Sequence, residues 1–176
     1  LNDAEINELI DYFKSSQDEE FFDSFLKNKN KELVKYVLLK GNFTNTMVTY
    51  AAMNRKRWPE AEKLIIKEPF SAATYAARVL KSRWSEAENN IKKQGGAAAW
   101  YARYVMKDRW PEAENAIATH ETKHPAGSNY TKKVYTKFVR DLGYKNFNLP
   151  GYNYNDEDLQ FKSGSIRSDG TGFELH

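Results

Sequence analysis

Residues 75–91 read Tyr75-Ala76-Ala77-Arg78-Val79-Leu80-Lys81-Ser82-Arg83-Trp84-Ser85-Glu86-Ala87-Glu88-Asn89-Asn90-Ile91. Residues 101–117 read Tyr101-Ala102-Arg103-Tyr104-Val105-Met106-Lys107-Asp108-Arg109-Trp110-Pro111-Glu112-Ala113-Glu114-Asn115-Ala116-Ile117, the same phrase moved along by 26 residues. A further copy stands upstream as Arg57-Trp58-Pro59-Glu60-Ala61-Glu62, so Trp58, Trp84 and Trp110 recur at equal intervals of 26. A fixed period of this length marks a repeat architecture, in which one unit cannot cover its own apolar face and neighbours stack to bury it.

Each unit divides into two short helices. The first, over Ala72–Lys81 and Ala98–Lys107, is alanine-rich, so backbones approach closely while Tyr75 or Tyr101 and an aliphatic pair fill the seam. The second begins just after each tryptophan. Pro59 and Pro111 suit a first helical position, where a missing N–H does no harm. The glutamates of the first turn then face the positive end of the helix dipole. Ile65, Ile91 and Ile117 share one register position and are expected to point inward with the three tryptophans. Glu68-Pro69, Gly95-Gly96 and His124-Pro125 read as breaks between units.

Outward from the repeats, three helical stretches precede them. Ile6, Leu9, Ile10 and Phe13 recur at helical spacing behind a cap at Asn2 or Asp3. Asp18 to Lys27 and Lys31 to Lys40 follow, the latter stopped by Gly41, and its ending Lys40-Gly41-Asn42-Phe43 echoes Lys81-Ser82-Arg83-Trp84 as a degenerate relative of the repeats. A capping helix is expected over 129–142, with Val134, Tyr135, Phe138, Val139 and Leu142 on one face. The expected fold is an all-α, solenoid-like array. Its single helical domain spans 1–145, with N-terminal helices in 1–43, three repeats in 47–122 and the capping helix. Residues 146–176 lose the helical period but keep spaced aromatics, Phe147, Tyr152, Tyr154, Phe161 and Phe173. They read as a loosely ordered or extended arm, docked on its own body or on a second copy.

The repeat phrase resembles a short Tyr-Ala…Lys-Gly-Arg-Phe/Trp-Pro-Glu-x-Glu unit strung together in uncharacterised proteins of bacteriophages and large DNA viruses. The likeness covers about residues 47–120, with Ser85 in place of proline and Ser82 or Asp108 in place of glycine. It implies a helical-repeat fold and a phage or viral origin, hence the host cytoplasm or a virion. It carries no activity with it.

Composition narrows the function classes. The chain has 176 residues, no cysteine, and 25 aromatic residues, which argue for a packed core and exclude disulfides and thiolate metal sites. No apolar run approaches the roughly 18 residues of a membrane span, and the opening residues carry no signal-peptide pattern. The net charge of +3 conceals a basic body over 31–145 between acidic ends. The ends neutralise the body within the fold, or the body serves an anionic partner.

Candidate chemistry is sparse. His120-Glu121-Thr122-Lys123-His124 spells the zinc-hydrolase pattern H-E-x-x-H, which needs both imidazoles on one helix face. Pro125 ends any helix there and Lys123 stands between the ligands, so the segment reads as a fortuitous pair. No catalytic residue, metal or cofactor is assigned. Arg57, Arg83 and Arg109 are expected to pair with Glu60, Glu86 and Glu112, three residues on, and to stack on tryptophan. Arg55, Lys81 and Lys107 share another position without a matched acid. With Arg78 and Arg103 they form the candidate partner-binding surface. The reading is a non-enzymatic interaction module for a host or viral protein. The alternative is sequence-independent nucleic-acid binding through the basic rows, and zinc-dependent hydrolysis is the remote third.

Overall fold

The computed structural model describes residues 1–160, and over them the chain is all-α, with helices and no strand. Phe161, Phe173 and the rest of the expected arm beyond 160 lie outside the described residues.

Three helices open the chain: α1 (Asp3–Ser15), α2 (Glu19–Leu26) and α3 (Lys31–Lys40). Each starts on a side chain that accepts an otherwise unpaired N–H. Asn2 caps α1 in a reciprocal box with Glu5, while Asp18 and Asn30 cap α2 and α3. Phe13 meets Phe21, Phe22, Phe25 and Phe43 at ring-centroid separations of 4.5–6.5 Å. This aromatic cluster packs α1 and α2 against Phe43, just beyond the end of α3.

The repeats follow as pairs. α4 (Thr44–Met53) precedes α5 (Pro59–Ile65); α6 (Pro69–Tyr75) continues as a π-helical turn, Ala76–Leu80, before α7 (Ser85–Ile91). α8 (Gly95–Tyr101) likewise continues through a π turn, Ala102–Met106. α9 (Glu114–Thr119) is entered through a 3₁₀ turn, Pro111–Ala113, and α10 (Tyr130–Asp141) closes the set. α4, α6, α8 and α10 pack in succession, and each shorter helix packs on the longer one before it. The seam is made of side chains with no exposure: Ala61, Ile65, Ala72, Ala73, Ala76, Ala87, Ile91, Ala98, Ala102 and Ile117.

The π turns have a plain cause in the sequence. From Tyr50 to Trp58 is eight residues, whereas Tyr75 to Trp84 and Tyr101 to Trp110 are nine. Yet Tyr50, Tyr75 and Tyr101 each pack on the tryptophan of their own unit, at 5.7, 5.3 and 5.3 Å between centroids. The extra residue must be absorbed without turning Tyr away from Trp, and one wide helical turn absorbs it. Lys81 and Lys107 therefore donate to the carbonyls of Ala76 and Ala102, five residues back, while α4 stays regular.

Arg55, Lys81 and Lys107 end these helices in the left-handed region, at φ of 50°, 53° and 54°. A side chain there costs about 1 kcal/mol relative to glycine. Lys81→Gly is accordingly expected to raise stability by up to about 1 kcal/mol in chemical denaturation. A loss of stability would mean the lysine side chain makes a contact that outweighs its backbone strain.

Two sequence expectations change here. Gly95-Gly96 is the buried first turn of α8 rather than a linker. A Cβ on Gly95 would strike the Ala116 carbonyl oxygen and come within 2.6 Å of the His120 Cβ, so the pair exists to let α9 approach. The apparent echo of the repeat at Lys40-Gly41-Asn42-Phe43 is not a backbone copy. Its left-handed residue is Asn42, directly before Phe43, whereas Lys81 stands three before Trp84.

The arm is irregular but docked as far as it is described. Leu149 and Leu159 are buried. Arg140 of α10 spends its guanidinium on the arm, donating to the carbonyls of Phe147 and Tyr154 at 2.9 and 2.7 Å. It also donates to Asn148 Oδ1 at 3.0 Å and pairs with Asp156 at 3.2 Å. Phe147 packs edge-on against Tyr135, 6.0 Å away.

Candidate functional site

The repeated polar residues converge on one arrangement, made three times. Arg57 grips Glu62 with two parallel bonds, Nε to Oε1 at 3.0 Å and Nη2 to Oε2 at 2.9 Å. The Tyr75 hydroxyl, from the next unit, donates to Glu62 Oε1 at 2.7 Å and accepts the Trp58 N–H at 2.9 Å. Arg83, Glu88, Tyr101 and Trp84 repeat this. Arg109, Glu114, Tyr135 and Trp110 repeat it again, and there Glu114 is buried. Every clamp joins one unit to the next through the tryptophan amide.

The arginines thus pair five residues on, with Glu62, Glu88 and Glu114, and not with Glu60, Glu86 and Glu112 as the i, i+3 rule suggested. The reason is local. Each arginine precedes the helix, and the following tryptophan is non-helical, at φ of −130° to −119° and ψ of 80° to 84°. Helical neighbour rules do not reach across that bend. Nor does the expected stacking on tryptophan appear at Arg109, whose guanidinium lies 4.6 Å from the Phe147 ring and 5.5 Å from Tyr144. Tyr135 completes the third clamp 34 residues after Tyr101, since a longer loop intervenes. That displaced spacing hid α10 as the fourth member of the series.

The clamp sets its own titration. Hydrogen bonding from Arg57 and Arg83 holds the Glu62 and Glu88 carboxyls below the ordinary carboxylate range, against the opposing effect of burial. Burial pushes the Tyr75 and Tyr101 hydroxyls up to about 12. A depressed carboxyl contributes stability above its unfolded pKa and loses it as pH falls through the folded value. A raised tyrosine contributes below its unfolded pKa near 10 and loses it as pH rises toward 12. Unfolding midpoints measured against pH are expected to fall on both limbs. Glu88→Gln should flatten the acid limb, and an unchanged limb would deny the clamp its charge.

Trp58, Trp84 and Trp110 are 4–6 % exposed, and Tyr75, Tyr101, Ile65, Ile91 and Ile117 have no exposure. Arg55, Lys81 and Lys107 are exposed, while Arg78 and Arg103 are half-buried. Among the described residues none of these five enters an ion pair. The acidic ends do meet the basic body, at Lys40–Asp3 and Arg140–Asp156.

The H-E-x-x-H segment does not form one helical face. His120 follows α9 with extended backbone, φ −74° and ψ 131°, and His124 lies in the loop, stacked on Tyr130 at 4.0 Å. Among the described residues no group of three or more His, Cys, Asp or Glu gathers as a metal site. The zinc reading lacks its geometric premise.

That loop instead walls an apolar cleft that the residue pattern did not reveal. It is a cavity of about 100 Å³ between α6, α8 and α10, lined by Phe70, Gly96, Ala99, Trp100, Arg103, His120, Thr122, Thr131, Val134 and Tyr135. The Thr122 and Thr131 hydroxyls satisfy each other at 2.7 Å. Burial, reinforced by Lys132, pushes the His120 imidazole below its ordinary range, which favours its neutral form. Arg103 lies over the Tyr104 ring at 5.1 Å, and Phe70 is 37 % exposed beside the opening. The available signal was Trp100, the one tryptophan off the 26-residue period, four residues after a glycine pair found in no other unit. Comparison with family models, with curated proteins and with solved structures gives no match. Among the described residues no helix is long and apolar enough to cross a membrane.

Proposed function

We propose that the chain is a non-enzymatic protein-interaction module of phage or viral origin, a virion or assembly component or a binder of a host factor. The observation that carries this reading is the apolar cleft on the α6–α8–α10 face. Its volume suits a single side chain of a partner, its Thr122 and Thr131 hydroxyls satisfy each other, and the charged Arg103 stands on its lining. The conspicuous repeated residues favour the same reading from the opposite direction. Arg, Glu, Tyr and Trp of each clamp are consumed in joining units, which leaves them no catalytic task. Solenoid-like arrays commonly serve as binding scaffolds, an argument from architecture alone.

The test is selection of a peptide library on the purified chain. Phe70→Asp and Arg103→Glu, both beside the cleft, are expected to abolish enrichment, whereas Lys107→Glu is not. Enrichment indifferent to both cleft variants would sink the reading.

Nucleic-acid binding is the second reading, favoured by the exposed, regularly placed Arg55, Lys81 and Lys107, which have no ion-pair partner among the described residues. Backbone binding by counterion release is strongest at low salt. Fluorescence anisotropy with DNA and RNA oligonucleotides at about 50 mM salt decides it, because absence of binding there ends the idea.

A further inference from the structure

The clamp series has three carboxylates for four tyrosines. Tyr75, Tyr101 and Tyr135 each donate to a glutamate of the preceding unit. Tyr50 is the first of the row and packs on Trp58 as its counterparts do on theirs, but no repeat precedes it. Its side chain is buried, with 4 % exposure, and faces α3. Where the others meet a carboxylate and a backbone N–H, the Tyr50 hydroxyl has the Asn54 side chain and the Lys35–Glu32 pair for neighbours, and it borders a cleft of about 420 Å³ lined by Lys31, Lys35, Asn54, Lys56, Arg57 and Pro59.

The charges around this cleft are distributed unevenly. Arg57 is committed to Glu62, and Lys35 reaches Glu32 at 3.3 Å. Glu60 stands on the rim, exposed. Lys31 donates to Asn54 Oδ1 at 3.0 Å, and Asn54 in turn donates to the Tyr50 carbonyl at 2.8 Å. Neither Lys31 nor Lys56 has a carboxylate partner among the described residues. Among the described residues the cleft therefore presents two ammonium groups outside any ion pair, with Glu60 on its rim and Glu32 held by Lys35, beside a buried tyrosine whose three equivalents each hold a carboxylate.

We propose that this cleft binds a carboxylate side chain of an acidic peptide segment from another polypeptide, which supplies the clamp group that no preceding repeat provides. The ligand is peptide rather than polyanion because the equivalent sites bind a glutamate oxygen together with a main-chain N–H, a combination that a nucleic-acid phosphate lacks. α3 already occupies the flank, so a short extended segment fits and a full repeat does not. The proposal rests on the interaction reading but not on the apolar cleft, which lies at the other end of the array. Failure here leaves the outcome of the Phe70 and Arg103 variants untouched, so the two ideas fall separately.

The experiment is an NMR titration of the ¹⁵N-labelled full chain with a blocked pentapeptide, Trp-Pro-Glu-Ala-Glu, against its twin with both Glu changed to Gln. The acidic peptide is expected to shift the Tyr50, Asn54 and Lys56 amides with affinity near 1 mM, and the twin to bind at least about tenfold more weakly. Tyr50→Phe, which keeps the ring on Trp58, and the exposed Lys56→Glu are each expected to weaken binding about fivefold or more. Equal binding of the two peptides, absence of shifts, or indifference to both variants overturns the proposal. So does inorganic phosphate that reproduces the shifts at equal affinity, since the cleft would then be a general anion patch.

Discussion

Trp84→Ala is expected to cost about 3–5 kcal/mol in urea denaturation followed by circular dichroism. The indole is 6 % exposed and packs on Tyr75, and the same residue carries the backbone N–H that the Tyr101 hydroxyl receives. Removing the ring empties the space between two units at once, and in a stacked array each unit is held only by its neighbours. Against a total of about 5–15 kcal/mol for a typical domain, such a loss brings the chain close to unfolding at ordinary temperature. Trp84→Phe, which refills most of the space, is expected to recover over half of the deficit. A cost below about 1 kcal/mol for Trp84→Ala would show that the units hold together without the indole.

The second large effect belongs to Glu114. Its carboxylate is buried and receives both donors of Arg109 and the Tyr135 hydroxyl. Glu114→Ala leaves three donors without an acceptor, Arg109 among them with a side chain only 31 % exposed. Breaking one side of such a pair costs about 3–5 kcal/mol, while replacing both partners with apolar groups of similar volume is often neutral. The double variant Arg109→Met with Glu114→Leu is therefore expected to regain a large part of what Glu114→Ala loses, the Tyr135 hydroxyl alone remaining without its acceptor. At the second clamp Arg83 is 57 % exposed, so water can solvate the orphaned guanidinium and Glu88→Ala is expected to cost less. Equal costs at the two clamps would contradict this dependence on burial.

How far the sequence could be read follows from where each signal resides. The tryptophan period is a property of the chain itself, and it yielded the paired helices and the apolar register of Ile65, Ile91 and Ile117 directly. The partner of each arginine depends on a bend between Arg and the helix start, which spacing cannot express. The π turns rest on a single-residue difference between Tyr50–Trp58 and its later counterparts, visible only once the rings are seen to keep the same contacts. Tyr135 is legible as a buried-face residue of the last helix but not as a clamp member, because the 120–129 loop displaces it from the period. The apolar cleft needed the Gly95-Gly96 pair, α9 and the loop to be assembled together, and its mark in the sequence was an unmatched Trp100. The arm's docking depends on Arg140, two of whose four acceptors are backbone carbonyls and so leave no trace in residue types.

The central claim is that a tyrosine hydroxyl of each unit locks the tryptophan amide of the unit before it. Native-state hydrogen exchange at the Trp58, Trp84 and Trp110 amides addresses this directly. Protection close to that of the helix cores is expected at all three, with Tyr101→Phe selectively releasing Trp84. Exchange at loop rates in the unaltered chain, or protection at Trp84 that survives Tyr101→Phe, would contradict it.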